Sequence, residues 1–396
     1  MNNLRAFGWQ PSVLTADGDT FSHSDESLLK FIDPSVTVVK TAANEPFNLY
    51  RSFLGKTNNS PLVASETISA ANTDWKHKLS IWIRMNLFVP DARIGWYFSA
   101  VTGGRKLIEK ERPNAIISIG PPHSSHLIGK RLSRQCGIPH IPVLIDPWVD
   151  IVYYKGFKRN PLTLALDNYF ERTTLRNAAK VIFVTKSSQE EYQKKYPWIA
   201  GKSHVLYWGY NEENFTVQKQ ASDYETVLHA GNIFDYQNPA GLWRSIRNEI
   251  GKGRNMRVRF VGTVSPEVKR SVTEAGLDEF TEYLGFLPYQ EVVQEMMNAS
   301  FLLVCATEKR HVPGKLFEYL RTGNRIIAYG DDNKEVGDIL LESNAGVLFP
   351  YDDDGNDIFD RLRSVDPDAG AAKVFSRKNI ARQLAELLKS TVSSAF

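Results

Sequence analysis

Short apolar runs alternate with stretches whose apolar residues recur at helical spacing, along nearly the whole chain. That alternation predicts an α/β fold, with parallel strands covered by crossover helices. In the first half the strand-like runs fall at Val13–Thr15, Val36–Val39, Ala115–Ile119, Ile141–Ile145 and Val181–Val184, with a shorter one around His204–Tyr207. The pattern restarts at Thr226–His229, Arg257–Val261, Phe301–Val304, Ile326–Tyr329 and Gly346–Phe349. Between the halves, Gly209-Tyr210-Asn211-Glu212-Glu213-Asn214 and the polar stretch Gln218–Asp223 predict an interdomain linker over 207–223. An N-terminal domain over 1–206 and a C-terminal domain over 224–375 follow. Ile380, Leu384, Leu387 and Leu388 mark one face of a closing helix within 376–396.

The opening is unusual for such a domain. Met1 to Phe7 has the pattern of a helix end, Gly8 of its stop, and Val13–Thr15 of a second strand. The expectation is that a first strand, its glycine loop and most of a first helix are missing from the sequence; a short variant of the domain is the alternative.

Composition narrows the picture. At 396 residues the chain exceeds the roughly 250 beyond which single cores rarely grow, in keeping with two domains. Its 42% hydrophobic and 23% charged content is that of a soluble globular protein rather than a disordered one. The formal net charge is +3, and Lys and Arg are scattered rather than striped, which argues against a nucleic-acid partner. Cys136 and Cys305 stand far apart in apolar stretches, so neither a cysteine-rich metal site nor a disulfide is suggested, and a cytoplasmic location is expected. No apolar run approaches the roughly 20 residues of a membrane span and no signal peptide opens the chain, so a soluble or peripheral protein is expected.

Two segments carry chemistry. The first, Val312-Pro313-Gly314-Lys315-Leu316-Phe317-Glu318-Tyr319-Leu320-Arg321-Thr322-Gly323, lies between two strand-like runs and reads as a crossover helix opened by Pro313-Gly314 and closed by Gly323. Backbone N–H groups at such a start favour a phosphate. Lys315 opposes the helix dipole there, which a bound anion would explain. Glu318, a turn later, could accept from a ribose diol. The plainer reading is a capped amphipathic helix with a solvated Lys and Glu. The second segment runs from Gly120-Pro121-Pro122-His123-Ser124 to Val143-Leu144-Ile145-Asp146-Pro147-Trp148. It delivers His123 and Asp146 to one carboxyl edge, where ligands of open α/β sheets bind. Either residue alone is more simply a turn or helix-start residue.

Together these stretches, with Val89-Pro90-Asp91-Ala92-Arg93-Ile94-Gly95-Trp96 and the Gly231 loop, resemble a family 4 glycosyltransferase of a bacterial polysaccharide-biosynthesis branch. The resemblance implies the GT-B architecture: two Rossmann-like domains facing a central cleft. It implies a nucleotide-diphosphate sugar donor on the C-terminal domain and a glycan or lipid-linked acceptor on the N-terminal one. Transfer would proceed with retention and without a metal or other cofactor, and the closing helix would pack back on the N-terminal domain. Candidate donor-binding residues are Gly231, Asn232, Arg310, Gly314, Lys315 and Glu318; Glu318 matches the family's ribose-binding glutamate. Asp146 and His123 are the candidate catalytic pair.

Departures from the family pattern matter. Many members carry two glutamates eight positions apart, and Arg310 occupies the earlier position here. The loop Gly231-Asn232-Ile233-Phe234-Asp235-Tyr236-Gln237-Asn238-Pro239 has no Lys or Arg, and Ile145 stands where the branch often has arginine. A diphosphate needs positive charge or many N–H donors, so Lys309, Arg310 and Lys315 would have to supply it. The same features suit a non-catalytic nucleotide- or sugar-binding partner with a degenerate donor site. A nucleotide-sugar epimerase is a third reading that nothing specific favours. Asp352-Asp353-Asp354-Gly355 and Asp331-Asp332 are expected to be solvated turns rather than metal ligands. Lys186-Ser187-Ser188 is expected to cap a helix. Trp75, Trp82, Phe88, Trp96 and Tyr97, set among Lys76, Lys78, Arg84 and Arg93, suit either a packed aromatic helix or a peripheral contact with the inner face of the cell membrane.

Overall fold

A computed structural model describes residues 2–17, 32–43, 75–151, 159–368 and 370–393, and every strand pairing in it is parallel. The chain divides into two compact units, one of Met1–Val184, Ser188–Leu206 and Ala381–Phe396, the other of Thr185–Ser187 and Tyr207–Ile380.

In the first unit the strands are shared between two sheets. β1 (Ser12–Ala16) pairs β2 (Thr37–Thr41), while β3 (Ile116–Gly120), β4 (His140–Leu144), β5 (Val181–Phe183) and β6 (Ser203–Val205) form a four-stranded sheet in chain order. Helices α1 (Trp75–Leu87), α2 (Tyr97–Glu111), α3 (Ser124–Cys136) and α4 (Pro161–Asn177) precede β5, and α5 (Lys186–Lys195) follows it. Ala16, Trp96, Ala100, Ile128 and Leu132 tie β1, α2 and α3 into one core, and the Trp96 indole N–H donates to the Thr41 hydroxyl at 2.7 Å. Asn2–Phe7 is a short 3₁₀ helix stopped at Gly8, where a helix end was expected.

The second unit has a six-stranded sheet in the order β12-β11-β10-β7-β8-β9. Its strands are β7 (Glu225–Ala230), β8 (Met256–Val261), β9 (Thr281–Gly285), β10 (Phe301–Cys305), β11 (Arg325–Tyr329) and β12 (Gly346–Phe349). The helices are α6 (Ala240–Gly251), α7 (Pro266–Glu274), α8 (Tyr289–Asn298), α9 (Lys315–Thr322), α10 (Lys334–Glu342) and α11 (Ile358–Arg363). β9 escapes the apolar pattern because it is an edge strand, half exposed, with polar Thr281 and Glu282. The chain runs outward from β7 through β8 to β9, then crosses back to β10, so the order reverses between β7 and β10. That reversal is where open sheets of this kind hold ligands.

Residues that composition predicts as a linker are built into the second unit, because Tyr210 and Phe215 bury their rings against Leu316, Phe317 and Leu320. Helix α12 (Arg377–Ser393) buries Leu387 and Leu388 against Ile141 and Ile182 of the first unit's sheet. No helix among the described residues is long and apolar enough to cross a membrane.

Candidate functional site

At the carboxyl end of β7, Gly231 adopts φ +120°, which side-chain-bearing residues rarely reach. A Cβ placed there would stand 2.7 Å from the Lys315 ammonium, so the absence of a side chain admits the lysine. Lys315 Nζ lies 3.3 Å from His229 Nε2, and His229 Nδ1 lies 3.1 Å from the Leu303 carbonyl. His229 Nε2 also lies 3.3 Å from the Asn232 carbonyl, so each ring nitrogen faces a carbonyl acceptor and Nε2 faces the Lys315 ammonium as well. Burial first, and the neighbouring ammonium second, lower the His229 pKa to about 3. Burial likewise lowers Lys315 to about 8, against the smaller pull of Cys305 and Glu318. Lys315 therefore stays charged at neutral pH, though partly stripped of water, and it makes no ion pair among the described residues. A desolvated cation at a helix start is the arrangement that gains most from an incoming anion.

The neighbouring residues hold this edge in place. The Tyr319 hydroxyl accepts from the Ala230 N–H at 2.9 Å, fastening α9 beneath the end of β7. The Gly231 N–H donates to Val261 at 2.7 Å, and the Asn232 side-chain oxygen accepts from the Thr263 N–H at 3.1 Å. Gly314, the N-cap of α9, is exposed. Glu318 accepts from the Tyr289 hydroxyl, which also receives the Asn214 amide at 3.3 Å. Burial, then the Glu318 carboxylate, pushes the Tyr289 phenol above its usual range. Arg310 turns its guanidinium onto Glu308, with contacts of 3.0 and 3.1 Å. Asn333 fixes that loop by donating to the Glu308 and His311 carbonyls at 2.9 and 2.8 Å. Gly231, Asn232, Gly314 and Lys315 thus gather at one edge with Glu318 a turn away, while the charge of Arg310 is met within its own loop.

The first unit's sheet presents a different edge. Cis peptides precede Pro121 and Pro122, and β3 ends in Gly120, whose carbonyl accepts from the Ile145 N–H at 2.9 Å. His123 is buried and stacks on Trp148 with ring centroids 5.0 Å apart; neither of its ring nitrogens makes a hydrogen bond of normal geometry. Behind it, the Ser118 hydroxyl lies 2.8 Å from His126 Nδ1 and 2.7 Å from His140 Nε2. One hydroxyl hydrogen can serve only one of them, so the other histidine donates to Ser118. Burial lowers His123 and His140 to about 3 and His126 well below its ordinary value, which keeps all three rings neutral. Asp146 lies half-buried just past β4. The turn that carries it is anchored from below: Trp148 donates its indole N–H to Asp167 at 2.8 Å and its backbone N–H to the Tyr192 hydroxyl at 2.8 Å.

Sequence reasoning missed that anchor and missed Asp91. The Asp91 carboxylate accepts from the Ser124 N–H and hydroxyl at 2.8 and 2.7 Å, filling the start of α3 with an internal anion. Burial raises its pKa against those hydrogen bonds. Asp353 and Asp354 accept from the N–H groups of Gly355 and Asn356, as turn residues do. In the second unit Lys186 and Ser187 give their N–H groups to Glu335 at 2.6 and 2.8 Å. Of the aromatic stretch, Trp96 is core and Trp82 is about half exposed, while the side chain of Trp75 lies outside the described residues.

Residues 65–214 match the model of Glycosyltransferase Family 4. No curated protein sequence matches the chain. Among solved structures, the chain is similar to sucrose-phosphate synthase from Thermosynechococcus elongatus, at 13% identity over 97% of this chain and 100% of that one, with a TM-score of 0.58. It is also similar to HepE from Anabaena in complex with UDP, at 12% identity over 96% and 100%, TM-score 0.60. A protein assigned as a UDP-N-acetylglucosamine 2-epimerase from Listeria monocytogenes matches at 15% identity over 98% of both chains, TM-score 0.53. The fold is therefore the GT-B one, and it hosts more than one chemistry.

Proposed function

We propose that the protein is a cytoplasmic glycosyltransferase of bacterial polysaccharide synthesis. It moves a sugar from a nucleotide-diphosphate sugar to a glycan or lipid-linked acceptor, with retention of configuration and without a metal. The observation that carries this reading is Lys315, a desolvated ammonium set over Gly231 at the start of α9, at the point where the strand order reverses. A pyrophosphate would give it the charge partner it lacks, and the fold is in keeping with that role; the family match over 65–214 bears on sugar transfer but does not reach Lys315. Glu318 would exchange its bond from Tyr289 for the ribose hydroxyls. His123 would position the transferred sugar, and Asp146 would orient or deprotonate the acceptor hydroxyl.

UDP is the first nucleotide to test, because HepE holds it. Lys315→Ala should weaken UDP binding more than uridine binding in calorimetry, and the gap should narrow with added salt. Equal losses for both ligands would make Lys315 a structural residue and remove the basis of the donor site.

A second reading, a non-catalytic nucleotide-sugar-binding partner, draws on the pairing with Glu308 of Arg310, one of the three cations expected to meet a diphosphate. Sugar transfer to acceptor on incubation with a UDP-sugar separates the two. Binding without transfer or hydrolysis would favour the partner.

A further inference from the structure

Four buried polar residues gather behind the end of β3: Ser118 on β3 itself, His123 and His126 at the start of α3, and His140 on β4. Ser118 touches Nδ1 of His126 at 2.8 Å and Nε2 of His140 at 2.7 Å. Its hydroxyl gives a hydrogen to one ring and accepts from the other, and each neutral imidazole carries a single hydrogen. Because the contacts use Nδ1 of one ring and Nε2 of the other, both rings must hold the same tautomer. Either both carry Nε2–H, with Ser118 donating to His126, or both carry Nδ1–H, with Ser118 donating to His140. Burial keeps the rings neutral, so no third state arises from a charged one.

The remaining nitrogens decide between the two states. His126 Nε2 and His123 Nδ1 approach one point, the vacant Cβ position of Gly120, at 2.5 and 3.0 Å. Among the described residues neither bonds anything else, nor does His140 Nδ1 or His123 Nε2. A buried N–H without an acceptor is rarer in proteins than a buried acceptor left bare. In the Nδ1–H state His140 holds such a hydrogen with nothing to receive it. In the Nε2–H state His126 offers its hydrogen to His123 Nδ1, and the one unmet hydrogen moves to His123 Nε2. That ring has the Pro147 carbonyl near it, which favours its protonation without bonding it at normal geometry. It also stands at the carboxyl edge, where a ligand supplies oxygens. We propose that Ser118, His126 and His140 are positioning residues that hold His123 as the Nε2–H tautomer. His123 then donates to an oxygen of the bound sugar and does not act as a base, a role that rests on the transferase reading.

Isotopically labelled histidine in the full chain lets nitrogen NMR near neutral pH read which ring nitrogens carry hydrogen, with single histidine substitutions assigning the signals. Wild-type His123, His126 and His140 should all carry Nε2–H. His126→Phe removes the donor to His123 and should leave His123 a mixture of both tautomers. Ser118→Ala, the smaller change, frees Nδ1 of His126 to carry the hydrogen and should release His123 in the same way, so the test survives if His126→Phe fails to fold. A purely structural cluster would lose melting temperature in these variants and leave the His123 tautomer unmoved. The proposal is overturned by that result, by opposite tautomers at His126 and His140, or by Nδ1–H on wild-type His123. With UDP-sugars as donors, His123→Gln, whose amide stands in for the Nε2–H donor, should keep at least about tenfold more turnover than His123→Phe. Equal losses would overturn the donor role. A wild-type protein that transfers no sugar would overturn the transferase reading and that role with it, and the spectra, which need neither nucleotide nor acceptor, would still decide the tautomers.

Discussion

The first unit's sheet and the second's end in edges made by the same device, a parallel strand turning into a helix, yet they treat charge oppositely. At the start of α3 the anion is already present, supplied by Asp91, and the rings behind it are buried neutral histidines. At the start of α9 no side chain among the described residues caps the helix at Gly314, and Lys315 adds a cation where the dipole is least favourable to it. One helix start is thus closed by a carboxylate of its own unit, and the other carries a cation instead. The nearest charged side chain makes the difference, and the fold does not.

The largest effect expected is catalytic. Asp146→Asn should lower turnover by about 10²–10⁴ while leaving UDP affinity unchanged. Near-normal turnover with a lowered melting temperature would make Asp146 a turn residue, and the neutral edge would then have no chemical role. Next in size, Glu171→Ala should cost about 3–5 kcal/mol of stability, because Lys195 and two tyrosine hydroxyls lose their buried acceptor together. A denaturant titration that moves by less than about 1 kcal/mol would show that the turn below Trp148 needs no anchor. Glu318→Ala should weaken nucleotide binding about ten- to a hundredfold and leave the fold intact. Unchanged calorimetric affinity would remove its ribose role.

Acid should act on the buried histidines of both units, His229 included, and base on Lys315. The three histidines of the first unit have lowered folded pKa values, so between about pH 3 and 6.5 the unfolded chain binds more protons. Their contribution to stability is present above 6.5 and is lost as pH falls; Asp91 and Asp167, both raised by burial, work the other way. In the second unit Lys315 loses its proton near pH 8, so UDP affinity should fall as pH rises past 8, by up to about tenfold per unit. An affinity flat from pH 7 to 9 would mean that Lys315 does not meet the diphosphate. The smallest effect belongs to Asp91→Ala. It should cost about 0.5–2 kcal/mol, partly recovered by added sulfate at the vacated helix start, which would turn the closed edge towards the open one.

What the sequence showed and what it hid follow from range. Buried strands such as Phe301–Cys305 are continuous apolar runs and were legible, whereas the edge strand Thr281–Gly285 is not one. Lys315 stood out because a cation in a first helical turn opposes a local rule. Asp91 could not be read, since its partner Ser124 is 33 residues away and only the folded chain joins them. The same holds for Tyr289 and Glu318, 29 residues apart. Glu308 was within reach: an acid two residues before Arg310 is a local signal that the guanidinium has a ready partner.

Two glycines of the first unit exist in relation to particular rings. A Cβ on Gly120 would stand 2.5 Å from His126 Nε2, and one on Gly129 would stand 2.5 Å from His140 Nε2. Each glycine and its histidine therefore behave as one heritable character. A lineage that gained a side chain at 120 or 129 would have to surrender the matching imidazole, so viable descendants should change both positions or neither. Since Ser118 touches both rings, the two pairs are joined as well, and drift at any of the five positions is constrained by the other four.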